Sequence, residues 1–108
     1  MIDLVIRFDT IQQLYRAYMP FVRSAGLFVA TSEPHYLGEP LTFSYRLPGD
    51  VAAREACGSV VWINPQGASG GRPAGIGVQF APAEEHHRHD IEQVLSSELA
   101  SGNLTSTM

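Results

Sequence analysis

Alternation of hydrophobic and polar residues predicts that much of this chain is extended. The pattern is cleanest over residues 41–47, where Leu41, Phe43 and Tyr45 are separated by Thr42 and Ser44. A period of two is typical of a strand with one buried face. The same pattern, with β-branched and aromatic residues, predicts further strands over residues 2–8, 27–31, 51–63 and 74–80, with a break near residues 54–56.

Two other segments show the helical period. Residues 11–18 place their large apolar side chains on one stripe, and Pro20 should end this helix near Tyr18 or Met19. The second helix follows Phe80 and should begin with Glu84 and Glu85 in its first turn. Its apolar stripe consists of Ile91, Val94, Leu95 and Leu99.

These elements predict a mainly β fold, a small β-barrel with a helix towards each end of the chain. The tetrapeptide Leu47-Pro-Gly-Asp50 has proline and glycine in the positions of a type II turn. Residues 1–101 are predicted to form a single domain. Residues 102–108 are polar for the most part and are predicted to form a flexible C-terminal tail.

Charge and composition exclude several functional classes. The 108 residues carry a net charge of -4, and all seven basic residues are arginines. Sequence-independent nucleic-acid binding needs a basic stripe, which these scattered arginines do not form. Charged residues interrupt the N-terminal apolar run, and no run approaches the length of a membrane span. We therefore expect a cytoplasmic protein with no membrane-inserted segment.

Candidate catalytic and metal-binding residues do not form a recognisable constellation. His86, His87 and His89 stand near Asp90, but no two of these histidines have the i, i+4 spacing that shares a helix face. We interpret residues 86–90 as a solvated polar helix face, with a metal site as the alternative. Cys57 lies in a strand-like run, which favours a small buried hydrophobic residue over a nucleophile. The prediction is a non-enzyme with no cofactor.

The segment over residues 75–80 has a bare outer face. Its large apolar residues project to one side and leave only Gly75, Gly77 and Gln79 on the other. Such a face indicates close approach, either by another part of the protein or by a ligand.

Large amphipathic side chains are abundant for so short a chain. Aromatic residues and methionine anchor many protein interfaces, although the same residue types also fill the ends of small barrels. The candidates for partner binding are Tyr15, Tyr18, Met19, Phe21 and Trp62.

The sequence resembles a known family at this point. Gly58-Ser-Val-Val-Trp62 followed by Gly75-Ile-Gly-Val-Gln-Phe80 is similar to the second half of PilZ domains. The resemblance implies a six-stranded antiparallel PilZ-like β-barrel with a short helix in its N-terminal half and a C-terminal helix. Many PilZ domains bind cyclic di-GMP through an Arg-x-x-x-Arg motif and an Asp/Asn-x-Ser-x-x-Gly motif. This chain lacks the first motif. In the second, if Gly26 is its glycine, Phe21 and Arg23 replace the acidic residue and the serine.

A narrower resemblance covers nearly the whole chain. Residues 14–22, 26–31 and 105–108 are similar to the type IV pilus assembly branch of the PilZ family. That resemblance implies a cytoplasmic adaptor without cyclic di-GMP binding of its own. Its partners would be the pilus extension ATPase PilB and a FimX-type GGDEF-EAL sensor of cyclic di-GMP.

The same resemblance implies roles for particular residues. Tyr15 and Trp62 would lie on the partner-binding surface, and Leu104 and Met108 of the tail would add contacts. The alternative hypothesis is a divergent cyclic di-GMP receptor that uses Arg16, Arg23 and Arg72, since guanidinium groups bind phosphates well.

Overall fold

A computed structural model describes residues 2–65 and 74–101, with side chains described up to residue 97. The strands are β1 (Leu4–Arg7), β2 (Tyr18–Met19), β3 (Gly26–Ala30), β4 (Pro40–Arg46), β5 (Arg54–Asn64) and β6 (Gly75–Phe80). The helices are α1 (Ile11–Ala17) and α2 (His86–Ser101), and a short 3-10 turn (Pro82–Glu84) precedes α2. The predicted mainly β fold with six strands and two helices is confirmed.

The six strands form one curled sheet in the order β1-β4-β5-β6-β3-β2. Four of the five pairings are antiparallel, but β1 runs parallel to β4, with Leu4 opposite Phe43. The prediction of an antiparallel sheet was therefore wrong for β1. Asp3 fixes this pairing through two hydrogen bonds. Its backbone N–H donates to the Thr42 carbonyl, and its carboxylate accepts the Thr42 N–H. Alternation of residue types shows which face is buried, but it carries no information on strand direction.

The concave side of the sheet holds the core. The alternation predicted over residues 41–47 is confirmed for Leu41, Phe43, Tyr45 and Leu47, which are all buried. Ser44 was predicted to face outwards and is buried as well, between Val5 of β1 and Glu55 of β5. The largest fully buried side chains are Tyr45, Phe43, Phe80, Leu14, Leu27, Leu47, Ile76, Ile91, Val60 and Val78.

Helix α1 is short and ends earlier than predicted. It begins with a capping box, in which Thr10 accepts the backbone N–H of Gln13 and the Gln13 side chain returns to the Thr10 backbone. It ends at Ala17, because Tyr18 is already extended and pairs with Leu27 of β3. Proline at position 20 favours extended backbone in the residue before it, and this supports strand pairing over another helical turn.

Two details of the β4–β5 hairpin bear on the sequence predictions. The type II turn is confirmed, because Gly49 has a φ of 88° and the Asp50 N–H donates to the Leu47 carbonyl over 2.9 Å. The break predicted near residues 54–56 was wrong. Strand β5 is continuous from Arg54, and its irregularity lies further along, between Val60 and Trp62.

Helix α2 packs on the core through Ile91 and Leu95. Arg54 also anchors it, bonding Asp50 in the hairpin turn and Asp90 on the helix over 2.8 and 2.9 Å. The side chain of this arginine is partly buried. It lowers the pKa of Asp50, chiefly through the side-chain hydrogen bond.

Candidate functional site

Strand β2 separates two surface grooves. Tyr18 and Met19 are consecutive strand residues, so their side chains point to opposite sides of β2. The Tyr18 hydroxyl donates to the Glu92 carboxylate of α2 over 2.6 Å. The Met19 side chain lies on the other side, against Gly77 of β6.

The first groove, called the Trp62 groove, is apolar and has a volume of about 410 Å³. Its lining residues are Met19, Phe21, Val22, Val61 and Trp62. Met19 is only 3% exposed and forms part of the base, whereas Phe21 is 77% exposed at the rim. The Trp62 ring packs on Phe28 with ring centroids 5.4 Å apart, which fixes one wall of the groove.

The glycine face of β6 explains how Met19 reaches this position. A Cβ atom on Gly77 would lie 2.9 Å from Met19 Cε and 3.2 Å from Trp62 Cβ. At Gly75 it would lie 2.7 Å from the ring of Phe28. Gln79, the third residue of this face, donates its side-chain amide to the Arg23 carbonyl. Close approach by other parts of the chain therefore accounts for all three positions.

The second groove, called the helix groove, lies between α1 and α2 and has a volume of about 470 Å³. Its lining residues are Tyr15, Arg16, Tyr18, Pro20, Glu92, Leu95 and Ser96. Tyr15 is 39% exposed, so α1 offers one aromatic face to solvent beside the guanidinium of Arg16. Aromatic, aliphatic and charged groups thus meet in one open concavity.

Tyr18 is held in the helix groove by its hydroxyl. Burial raises the pKa of this phenol, and the hydrogen bond to Glu92 raises it further. The phenol therefore stays protonated at neutral pH and donates to the carboxylate. Glu92 also faces Arg88, whose Nε lies 3.4 Å from the same carboxylate oxygen.

Removal of the Tyr18 hydroxyl should loosen the contact between β2 and α2. We expect Tyr18→Phe to lower the free energy of unfolding by about 1 kcal/mol, because it removes one partly buried hydrogen bond to a carboxylate. Urea unfolding followed by circular dichroism measures the effect. Tyr15→Phe is the matched control and should change stability little, because Tyr15 is more exposed. Equal effects of the two variants would contradict the stabilising role of the hydrogen bond between Tyr18 and Glu92.

The structure divides the predicted partner-binding residues into two sets. Tyr15 and Tyr18 line the helix groove, whereas Met19, Phe21 and Trp62 line the Trp62 groove. Leu104 and Met108 lie outside the described residues, as does Arg72. Arg16 lines the helix groove, but Arg23 lies in the turn after β2, where its carbonyl accepts Gln79. Within the described part of the chain, these two arginines do not share a groove.

Sequence reasoning missed several residues of the two grooves. Glu92 and Leu95 form the α2 side of the helix groove, and Val22 and Val61 complete the Trp62 groove. The predicted core position of Leu95 is confirmed, and the residue also lines the groove. The one available signal for Glu92 was its place on that stripe, three residues before Leu95.

The histidine segment is not the solvated face that was predicted. His87 is only 4% exposed, and its ring stacks on Phe80 with centroids 5.2 Å apart. Its Nδ1 lies 2.6 Å from the Tyr45 hydroxyl. His86 and His89 are exposed, as predicted. Across residues 2–65 and 74–97, no group of three or more His, Cys, Asp or Glu side chains is placed to hold a metal ion.

Cys57 also differs from its prediction. It was interpreted as a buried hydrophobic residue, but the structure places it at the surface. Its neighbours Ala56 and Val60 are the residues of β5 that enter the core, so strand alternation turns Cys57 outwards.

Neither helix, within the residues that the structure describes, has the length and hydrophobicity needed to cross a bilayer.

Comparison with known proteins bears on the family to which the chain belongs. A search of curated proteins found no match. The sequence profile of the PilZ domain matches residues 2–97, almost the full length of the chain. PilZ domains are cyclic di-GMP-binding or adaptor domains. The curled six-stranded sheet with its two helices agrees with that match, and the chain belongs to the PilZ domain family.

Proposed function

We propose that this chain is a non-enzymatic adaptor in type IV pilus biogenesis and twitching motility. It acts in the cytoplasm and binds the pilus extension ATPase PilB and a FimX-type GGDEF-EAL protein. It does not bind cyclic di-GMP itself, so the second messenger acts through its protein partner. Tyr15, Tyr18, Met19, Phe21 and Trp62 contribute to binding, with Leu104 and Met108 in the segment that follows the domain.

The Trp62 groove is the observation that carries this proposal. Monomeric domains seldom keep several large apolar side chains exposed together unless another molecule covers them. Here Phe21 and Val61 are exposed beside a partly buried tryptophan, over a methionine base. Tryptophan and other aromatic residues are frequent anchors of protein interfaces.

The turn between β2 and β3 supports the absence of nucleotide binding. Phe21 and Arg23 occupy positions where the resemblance leads us to expect an acidic residue or asparagine and a serine. Phe21 therefore offers an exposed apolar ring where a polar group would bind nucleotide. The turn is also fixed by Ser24 and Ala25, which both have a φ of 64°.

A divergent cyclic di-GMP receptor is the second candidate function. Arg16 favours it, because a guanidinium beside Tyr15 and Tyr18 could pair with a phosphate while a base stacks on a ring. The position of Arg23 opposes it, since that residue lies outside the helix groove.

Two titrations test the proposal with the purified chain. We expect calorimetry with cyclic di-GMP to give no binding heat, with a PilZ receptor that carries both motifs as the positive control. We expect purified PilB, and separately the EAL domain of a FimX-type protein, to bind the chain at micromolar concentrations. Micromolar affinity for the nucleotide would favour the receptor hypothesis. If neither protein binds the chain, the adaptor proposal is overturned.

A further inference from the structure

The helix groove contains a cation, Arg16, that has no ion pair with the described side chains. Arg16 is exposed in the last turn of α1, where its charge faces the groove. Arg54 and Arg88, by comparison, each pair with carboxylates of the chain itself.

The carboxylate of the groove is already engaged. Glu92 accepts the Tyr18 hydroxyl over 2.6 Å and faces Arg88 over 3.4 Å. Glu92 pairs with Arg88 and forms no ion pair with Arg16, so among the described side chains the guanidinium on the α1 side of the groove is available to an acidic ligand. Tyr15, Pro20 and Leu95 supply the apolar lining.

We propose that the helix groove binds a segment of a protein partner that presents a carboxylate next to a large hydrophobic side chain. The carboxylate pairs with the Arg16 guanidinium, which can form two parallel hydrogen bonds to it. The hydrophobic side chain enters the groove against Tyr15 and Leu95. A volume of about 470 Å³ lies within the range typical of small-ligand sites and suits one or two side chains.

The charge of the chain supports a single carboxylate over a polyanion. The net charge is -4 and there is no lysine, so nucleic acid or an anionic membrane would be repelled at longer range. One carboxylate is repelled far less by the net charge than a polyanion is, and Arg16 can pair with it because Glu92 is engaged by Tyr18 and Arg88. This ion pair would add specificity to the partner contact, because rim charges select between partners more than they add affinity.

The inference rests on the proposed adaptor function, but its chemistry can be tested without the partner. The probe is phenylacetate, a hydrophobic carboxylate, with phenylacetamide as its uncharged analogue. Both are titrated into the isotope-labelled chain by nuclear magnetic resonance. We expect phenylacetate to shift the resonances of Tyr15, Arg16 and Leu95 with millimolar affinity. We expect the amide to bind about twofold to fivefold more weakly, as one exposed ion pair predicts.

Arginine variants assign the effect to one side chain. Arg16→Gln should reduce phenylacetate binding to the level of the amide. Arg23→Gln is the matched control, because it removes the same charge from an exposed arginine outside the groove, and it should leave the affinity unchanged. Equal binding of acid and amide, equal effects of the two variants, or shifts outside the groove would each overturn the inference.

A second experiment separates this inference from the adaptor proposal. With purified PilB as the probe, we expect Arg16→Glu to weaken binding about tenfold and Arg16→Lys to weaken it less. High salt should reduce the difference between the variants, because the pair is exposed. If Trp62→Ala weakens binding and Arg16→Glu does not, the adaptor proposal stands and the carboxylate site is wrong. If PilB fails to bind but phenylacetate binds through Arg16, the site stands and that partner is wrong.

Discussion

Trp62→Ala is expected to weaken binding of the chain to PilB by about 2–4 kcal/mol, which corresponds to a loss of roughly thirtyfold to a thousandfold in affinity. Trp62 forms one wall of the Trp62 groove and is held by Phe28 at 5.4 Å. Its ring is therefore fixed before a partner arrives, so little conformational entropy is lost on binding. Alanine removes the wall and leaves Met19 at the base uncovered.

Two controls distinguish lost contact from lost folding. Trp62 is partly buried against the core, so alanine will also lower stability. Trp62→Phe keeps a ring on Phe28 and should retain most of the affinity. Val51→Ala removes an apolar side chain that is 95% exposed outside both grooves, and it should leave binding unchanged. Biolayer interferometry with immobilised PilB measures all three variants. An alanine variant that is folded and binds as wild type would contradict the assignment of the groove.

The two grooves show where sequence reasoning about the site succeeded and where it failed. Aromatic abundance was sufficient to select Tyr15, Tyr18, Phe21 and Trp62 as candidates, and all four line a groove. The sequence could not show that they form two surfaces. Helical spacing predicts that α1 extends to Tyr18. Tyr15 and Tyr18 would then lie on one helical stripe, with no strand next to them. Because α1 ends at Ala17, strand alternation governs positions 18 and 19 and sends their side chains to opposite sides.

The fold was more predictable than the site, and its errors have physical causes. Hydrophobic alternation located β1, β3, β4 and β6 within two residues at each end, because burial of one face acts directly on residue type. Strand direction does not affect which residue types are buried, so the alternation could not predict the parallel pairing of β1 with β4. Glycine on the face of β6 indicated a close approach. The identity of the neighbour, Met19, depends on a contact between residues far apart in sequence.

The prediction that His87 is solvated was wrong because it rests on the spacing between histidines and not on the spacing from His87 to the apolar residues of α2. It lies four residues before Ile91 and eight before Leu95, which are both buried. Residues at this spacing share a helix face, so the core stripe of α2 extends back to His87. A polar residue on such a stripe is buried when a partner is available for it. Tyr45 is that partner, and its ring meets the imidazole edge-on at 5.4 Å.

The proton positions between Tyr45 and His87 follow from burial. The Tyr45 side chain is inaccessible to solvent, and burial raises the pKa of its phenol, so the hydroxyl keeps its proton and donates to Nδ1 of His87. The imidazole proton is therefore on Nε2. This nitrogen lies 3.3 Å from a Glu84 carboxylate oxygen without forming a hydrogen bond. The neutral imidazole satisfies Tyr45, whereas an imidazolium would have no lone pair to accept its hydroxyl.

His87→Ala should lower the free energy of unfolding by about 3 kcal/mol. The substitution leaves a cavity beside Phe80, and it leaves the Tyr45 hydroxyl buried without its acceptor. His89→Ala is the matched control on the same helix and should have a small effect, because His89 is exposed. Urea unfolding at neutral pH measures both variants. A loss below about 1 kcal/mol for His87→Ala would contradict the buried contact.

The same contact predicts that acid weakens the fold through His87. Burial lowers the pKa of this imidazole below its ordinary value of 6.5, and His86 lowers it further, while Glu84 and Asp90 act in the opposite direction. The unfolded chain therefore takes up a proton at a pH where native His87 does not. This contribution to stability is complete above pH 6.5 and falls as the pH drops towards the lower native pKa. His87→Gln retains an acceptor for Tyr45 but cannot titrate, so its unfolding free energy should depend less on pH across this window than that of the wild type. Unfolding midpoints at neutral and mildly acidic pH measure the two slopes. Equal slopes would show that His87 titrates normally in the native protein and that its burial does not disfavour the charged form.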